Sequence, residues 1–170
     1  MGQADREKGD KSPAFFMKEA LKEAEKALWA GEVPVGAVIV RHGEIIGRGH
    51  NLTESAKDPT GHGEIIAIRQ AAKALGGWRL LDSELYVTTE PCSMCAGAIV
   101  LSRIQKVYIG SMDPKSGACG SLYNLLQDPR LNHQTELETG ILEDACTQIM
   151  KSFFKELRAR KKRRVDTTTP

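Results

Sequence analysis

Two short segments hold most of the side chains able to do chemistry: His62-Gly63-Glu64 and Pro91-Cys92-Ser93-Met94-Cys95. Zinc favours thiolate and imidazole ligands, and a catalytic zinc keeps three protein ligands and one open position. Cys92 and Cys95 stand three apart at the start of a predicted helix, so both sulfurs can face one way, and the helix dipole favours their thiolate forms there. His62, at the start of the preceding helix, can supply the third ligand. Glu64 follows two residues later, close enough to reach a water on such a metal without ligating it. The set is hydrolytic. The metal lowers the pKa of its water to about 7, and a neighbouring carboxylate collects the proton and hands it to a leaving group.

Each half alone has a plainer reading. A C-x2-C pair also serves structural zinc knuckles and redox sites. Structural zinc usually takes four ligands, often as two such pairs, and here the remaining cysteines, Cys119 and Cys146, are isolated. Cys146 falls in an apolar stripe and reads as core, whereas Cys119 sits in a Gly-rich loop with no evident role. With no export signal the expected compartment is reducing, so metal chemistry outranks disulfides.

The elements that must position these residues follow from periodicity. Phe16, Ala20, Leu21, Ala24, Ala27 and Leu28 recur at helical spacing, and Gly31 stops that helix. Val35–Val40 and a run from Ile45 read as strands joined by a hairpin turn at His42-Gly43. Residues 51–61 read as a loop, and Ile65–Leu75 as a helix ending at Gly76-Gly77. Next come a strand at Glu84–Thr89, a helix at Cys92–Leu101 with Pro91 in its first turn, and a strand at Lys106–Gly110. After a long connection over Ser111–Asn132, Thr135–Glu138 reads as an edge strand. A last helix carries apolar pairs from Ile141/Leu142 to Phe153/Phe154 and ends its stripe at Leu157. Strands alternating with helices after an opening hairpin predict an α/β fold, a three-layer α/β/α sandwich around a mixed, mainly five-stranded sheet. The expected organisation is a disordered tail over 1–12, one domain over 13–161, and a basic, polar tail over 162–170. Trp29 and Trp78 flank helix ends and read as packing anchors.

Length and charge narrow the classes. At 170 residues the chain makes one domain, large enough to bury a core without disulfide staples. No apolar run nears the ~20 residues of a membrane span, and the first residues lack the apolar stretch of a signal peptide. A cytoplasmic globular domain with no membrane partner is expected. The net charge of +2 hides an asymmetry: Lys155–Arg164 carries a net +6, leaving −4 on the rest. Lys151, Lys155, Arg158 and Lys162 fall at spacings that align them along one helix face. A polyanion met at that end and a merely solvated helix end both remain open.

The combined pattern, H-x-E followed after 27 residues by C-x-x-C with a proline before its first cysteine, resembles the signature of zinc-dependent nucleobase deaminases. Beyond it, the chain is similar to the bacterial tRNA adenosine deaminases from about Phe16 to Lys161. The likeness lies in VPVGAVIV (33–40), HN (50–51), DPTGHGEIIAIRQA (58–71), ELYVTTEPCSMCAGAIVLSRI (84–104), GACGSLYNLL (117–126) and LNH (131–133). The resemblance implies a cytidine deaminase-like fold and hydrolytic deamination of a wobble adenosine in a tRNA anticodon stem-loop to inosine, by a homodimer. His62, Cys92 and Cys95 would hold one Zn2+ per subunit, with Glu64 as the catalytic proton shuttle. Asn51 and the Gly63 backbone N–H would meet the base, and Asp113, Lys115, Phe154 and Arg158 the flanking RNA. Of Phe153 and Phe154, one is expected buried and one at the RNA. The family's usual residue between His and Glu is alanine, so Gly63 implies a roomier pocket. A deaminase of free guanine or cytosine, and an idle zinc-containing RNA-binding module, stand as alternatives.

Overall fold

Ser12 starts the first element. Its Oγ accepts from the Phe15 N–H at 3.2 Å, and Pro13 takes the first helical position, where a missing N–H costs nothing. The helix α1 that follows (Pro13–Trp29) buries Phe16, Met17, Ala20, Ala24 and Ala27. The computed structural model describes residues 11–166. The tail expected over 1–12 therefore lies outside the described residues except for Lys11, which pairs with Glu44, and Ser12.

The strands β1 (Gly36–Arg41) and β2 (Glu44–His50) form the expected hairpin. His42 and Gly43 both have positive φ, 50° and 75°. That is the turn whose twist matches the strands it joins. A short helix α2 (Thr53–Ala56) stands where a plain loop was expected. Its cause is the buried Glu32, whose carboxylate accepts from the Glu54 and Ser55 N–H groups and from the Ser55 hydroxyl. Next come α3 (Gly63–Leu75), β3 (Ser83–Thr89), α4 (Ser93–Leu101), β4 (Lys106–Ser111), β5 (Glu136–Thr139) and α5 (Glu143–Asp166). The sheet order is β2-β1-β3-β4-β5, antiparallel from β2 to β3 and parallel from β3 to β5.

Alternation along the strands divides the core in two. Ala37, Ile39, Leu85, Val87, Val107 and Ile109 pack under α3 and α4, while Val38, Val40, Tyr86 and Tyr108 face Phe16, Met17 and Ala20 of α1 and Cys146 of α5. Each fully buried aliphatic side chain contributes about 1.5–3 kcal/mol. The three-layer α/β/α sandwich with a mixed five-stranded sheet is therefore as expected. Gly47 and Gly49 of β2 let α3 lie close, because a Cβ at either would overlap backbone atoms of α3. That close approach fixes where α3 begins, and so where His62 and Glu64 stand.

Several expectations need correcting. Pro91 precedes the N-cap Cys92 and is not in the first turn of α4. Ile141 and Leu142 lie before α5, packed on the second core cluster. Helix α5 runs unbroken past 161 to Asp166, since good helix formers and the Glu156–Arg160 and Glu156–Arg163 pairs carry it through the basic run. Neither Phe153 nor Phe154 is buried: the last α5 side chain packed on a core cluster is Met150, one turn earlier. Trp29 and Trp78 are 80% and 56% exposed, so neither anchors a core; Arg79 stacks on the Trp78 ring instead.

Candidate metal centre and active-site cavity

Two helix starts meet at the carboxyl end of β3. His62 is the N-cap residue of α3 and Cys92 that of α4, both in extended backbone, and Cys95 lies in the first turn of α4. His62 Nδ1 is 3.7 Å from Cys92 Sγ and 3.5 Å from Cys95 Sγ. The three ligand atoms all lie within 4.8 Å of one another. A tetrahedral ion at ordinary thiolate and imidazole bond lengths separates its ligands by about 3.5–3.8 Å, so the donor set fits a metal by spacing and by chemistry.

The electrostatics agree. A hydrogen bond with Cys95, together with the neighbouring His62, holds the Cys92 thiol down at about 4, despite its burial. Cys95, hydrogen-bonded to that thiolate and buried, is pushed up, and His62 is raised chiefly by its bond to Cys92. One thiolate is thus already favoured before any cation arrives.

Glu64, the second residue of α3, is 3% exposed, and burial pushes its carboxyl up to about 7. Its Oε2 is buried without a hydrogen-bond partner. An acid with a pKa near the working pH can both take and give a proton, and the orphaned oxygen points to a partner the chain itself does not supply. Asn51 is also buried, but its Oδ1 accepts from the Gly63 N–H at 2.9 Å. The Gly63 donor expected to face a base is therefore committed to Asn51, and among the described residues the Asn51 Nδ2 has no paired partner. Gly63 does not enlarge the site either. A Cβ there would press on the backbone of Val35, Gly49 and His50, so glycine serves helix–sheet packing and the expectation of a roomier pocket falls.

These groups floor a cavity of about 1140 Å³. One wall is Asn51, Thr53 and Glu54. A second is the segment Met112–Ser116 after β4. The third is the face of α5 bearing Thr147, Met150, Lys151, Phe154, Lys155 and Arg158. The structure thus brings every residue predicted from the sequence to this one region. Lys115, Phe154 and Arg158 are exposed around it. Asp113 is half-buried and held within its own turn: its carboxylate accepts from the Lys115 and Ser116 N–H groups and the Ser116 hydroxyl, so it shapes the turn. Lys162 continues the basic face beyond the cavity.

Sequence reasoning missed Glu32, Glu90 and Thr89, all buried and all lining the cavity. Glu90 accepts from the N–H groups of Asp113, Cys119 and Ser121 and from the Ser121 hydroxyl, pinning the long connection after β4. Its signal in the sequence was a lone acid between a buried strand and a proline. His50 pairs with Glu23 and His133 with the Ile104 carbonyl, so neither approaches the centre. Cys119 is buried with its thiol toward the Pro91 carbonyl, and Cys146 is core.

Residues 11–158 match the family model of the MafB19-like deaminases. A tRNA-specific adenosine deaminase of Bacillus subtilis (strain 168) is 56% identical over 148 residues, 87% of this chain and 92% of that protein. One of Streptococcus pyogenes serotype M18 is 52% identical over 148 residues, 87% of this chain and 93% of that protein. A solved structure from work on A-to-I editing by tRNA:A34 deaminases at the wobble position of transfer RNA superposes with a TM-score of 0.77. It has 44% identity and covers 79% of this chain and 98% of that one.

Proposed function

Since the chain belongs to the MafB19-like deaminase family, and within it to the tRNA-specific adenosine deaminases, we infer that it hydrolyses the wobble adenosine of a tRNA anticodon loop to inosine and ammonia. One observation carries the reading: a buried acid stands with His62 and Cys92, two of the three residues placed to hold a metal, in a cavity whose outer wall is a basic, aromatic-bearing helix face. His62, Cys92 and Cys95 would hold one Zn2+. When bound, zinc supplies a water ionised near neutral pH.

The chain's own groups do the rest. Glu64 Oε2 takes the proton of the attacking water and delivers it to the purine ring nitrogen, then takes the proton of the new C6 hydroxyl and gives it to the departing amino group as the C6 carbonyl forms. The Asn51 Nδ2 orients the base by donating to it, while its Oδ1, held by Gly63, keeps the amide from flipping. Phe154 offers a face on which a splayed loop base can stack. Lys115, Lys151, Lys155 and Arg158 meet phosphates, with Asp113 holding the turn that presents Lys115. The described residues contain no helix long and apolar enough to cross a membrane, and a tRNA substrate implies work in the cytoplasm. The domain, on this reading, is 13–161, with the basic residues beyond it adding affinity for RNA.

The test is inosine formation on an anticodon stem-loop with adenosine at the wobble position, beside free guanine, cytosine and adenine. Inosine in the RNA supports the reading. Turnover of a free base alone moves the chain to the free-base deaminases. RNA binding at full metal loading with no ammonia released makes it an idle binding module. Replacing Lys151, Lys155 and Arg158 together with alanine is expected to weaken RNA binding. It should also lower the slope of log affinity against log salt by about 2, three single-strand phosphate contacts at about 0.7 each. An unchanged slope would put the RNA path elsewhere.

The active unit on this reading is a homodimer joined through α4. That helix is apolar all round, yet Met94, Gly97 and Ala98 are only half-buried and Leu101 is 67% exposed. The stripe has helical spacing, small residues at its centre, and a metal ligand on its opposite face. Leu101→Arg is expected to turn the dimer into a monomer in sedimentation with the fold intact; a variant still dimeric would exclude α4 as the seam.

A further inference from the structure

Thr89 ends β3, three residues before Cys92. Side chains of β3 alternate: Leu85 and Val87 point toward α3 and α4, while Tyr86 packs on the α1 side. Thr88 follows Tyr86, and its Oγ1 accepts from the Gly36 N–H at 3.1 Å. Thr89 follows Leu85 and Val87, so it emerges at the carboxyl end of the strand, where α3 and α4 begin and where His62, Glu64 and Cys92 stand. It is 7% exposed, it lines the same cavity, and its Oγ1 is buried without a hydrogen-bond partner. Among the described residues, the other orphaned buried oxygen on that cavity is Glu64 Oε2.

A buried hydroxyl left unpaired weakens a fold, and valine would fill the same volume without that penalty. The hydroxyl therefore answers to a ligand. We propose that Thr89 is a further substrate contact, its Oγ1 accepting a hydrogen bond from the exocyclic amine of the bound aminopurine. This rests on the deaminase reading above. The amine must come to the side of the cavity where Glu64 and the metal ligands lie, and Thr89 stands on that side. The C6–N6 bond breaks with its electron pair going to nitrogen, which leaves as ammonia. The nitrogen carries N–H donors before, during and after that cleavage, so one fixed acceptor serves the whole path. Thr89 itself transfers no proton. As positive charge grows on the leaving nitrogen the bond strengthens, so its contribution falls mainly on kcat.

The experiment compares Thr89→Val and Thr89→Ser with the parent, measuring kcat and KM on the wobble-adenosine stem-loop, zinc content and Tm. Thr89→Val is expected to lose about tenfold in kcat, the worth of one such hydrogen bond, with KM and zinc content unchanged and Tm equal or higher. Thr89→Ser, which keeps the hydroxyl, is expected within about twofold of the parent. A valine variant as fast as the parent would overturn the proposal. So would a serine variant as slow as the valine one, since the methyl group would then be what matters. If the parent deaminates only free aminated bases, the tRNA reading fails, and the same comparison on that base still decides Thr89.

Discussion

Glu64→Gln is expected to reduce inosine formation by about 10³–10⁴-fold, the upper part of what a positioned acid–base group supplies. Glutamine keeps the volume of the side chain and loses the ability to take and give a proton. The site makes that ability matter: burial brings the carboxyl to about 7, and its Oε2 has no partner in the protein. Metal content should not change, since the converging ligand atoms belong to His62, Cys92 and Cys95. Tm should hold or rise, because a buried carboxyl has been replaced by a neutral amide. Inosine assay, metal analysis and a melting curve on one preparation separate the outcomes. Activity within tenfold of the parent would remove Glu64 from the chemistry, and loss of metal with activity would make it a ligand instead.

Glu90→Ala is expected to lower stability by about 3 kcal/mol, and Tm by about 6–12 °C for a chain of this size. The Glu90 carboxylate accepts from three backbone N–H groups, at 2.8 Å from Asp113, 3.1 Å from Cys119 and 2.9 Å from Ser121. Alanine leaves those donors, buried at Cys119 and part-buried at Asp113 and Ser121, unpaired, each at up to about 1–3 kcal/mol before the segment relaxes toward water. The segment they hold is the cavity wall that carries Asp113 and Lys115, so RNA affinity should fall with stability. Gly117→Ala provides an independent check, since a Cβ there would overlap the Glu90 carboxylate and the Asp113 carbonyl. It should reproduce the loss without touching the acid. If both variants melt like the parent, the clasp does not hold the wall.

Much of the sandwich could be read from local pattern. The β-branched run at 35–40, the turn at His42-Gly43 and the helix stop at Gly76 each rest on neighbours in sequence, and each formed near its expected place. The convergence of His62, Cys92 and Cys95 into a set able to hold a metal was legible for the same reason, because residue type and spacing suggest it and two helix starts need little else to present it. What stayed hidden depends on distant partners. The turn of helix at Thr53–Ala56 forms because Glu32, about twenty residues earlier in the chain, takes its first N–H groups. One of Phe153 and Phe154 was expected to be core, and neither is buried, because nothing in the described residues covers the far end of α5.

From its sequence alone this protein was bound to be an α/β domain with a His-Cys-Cys set able to hold a metal and an acid beside it, since periodicity and ligand spacing are short-range properties. Only the tertiary structure decided which backbone donor Asn51 would occupy, that Glu90 would clasp the wall, that Thr89 would be left with an unpaired hydroxyl on the cavity floor, and that the basic face of α5 would close that cavity. Those are facts about which groups burial leaves with partners and which without. Such an account closes only when the sheet, both helix layers and the long connection are packed together.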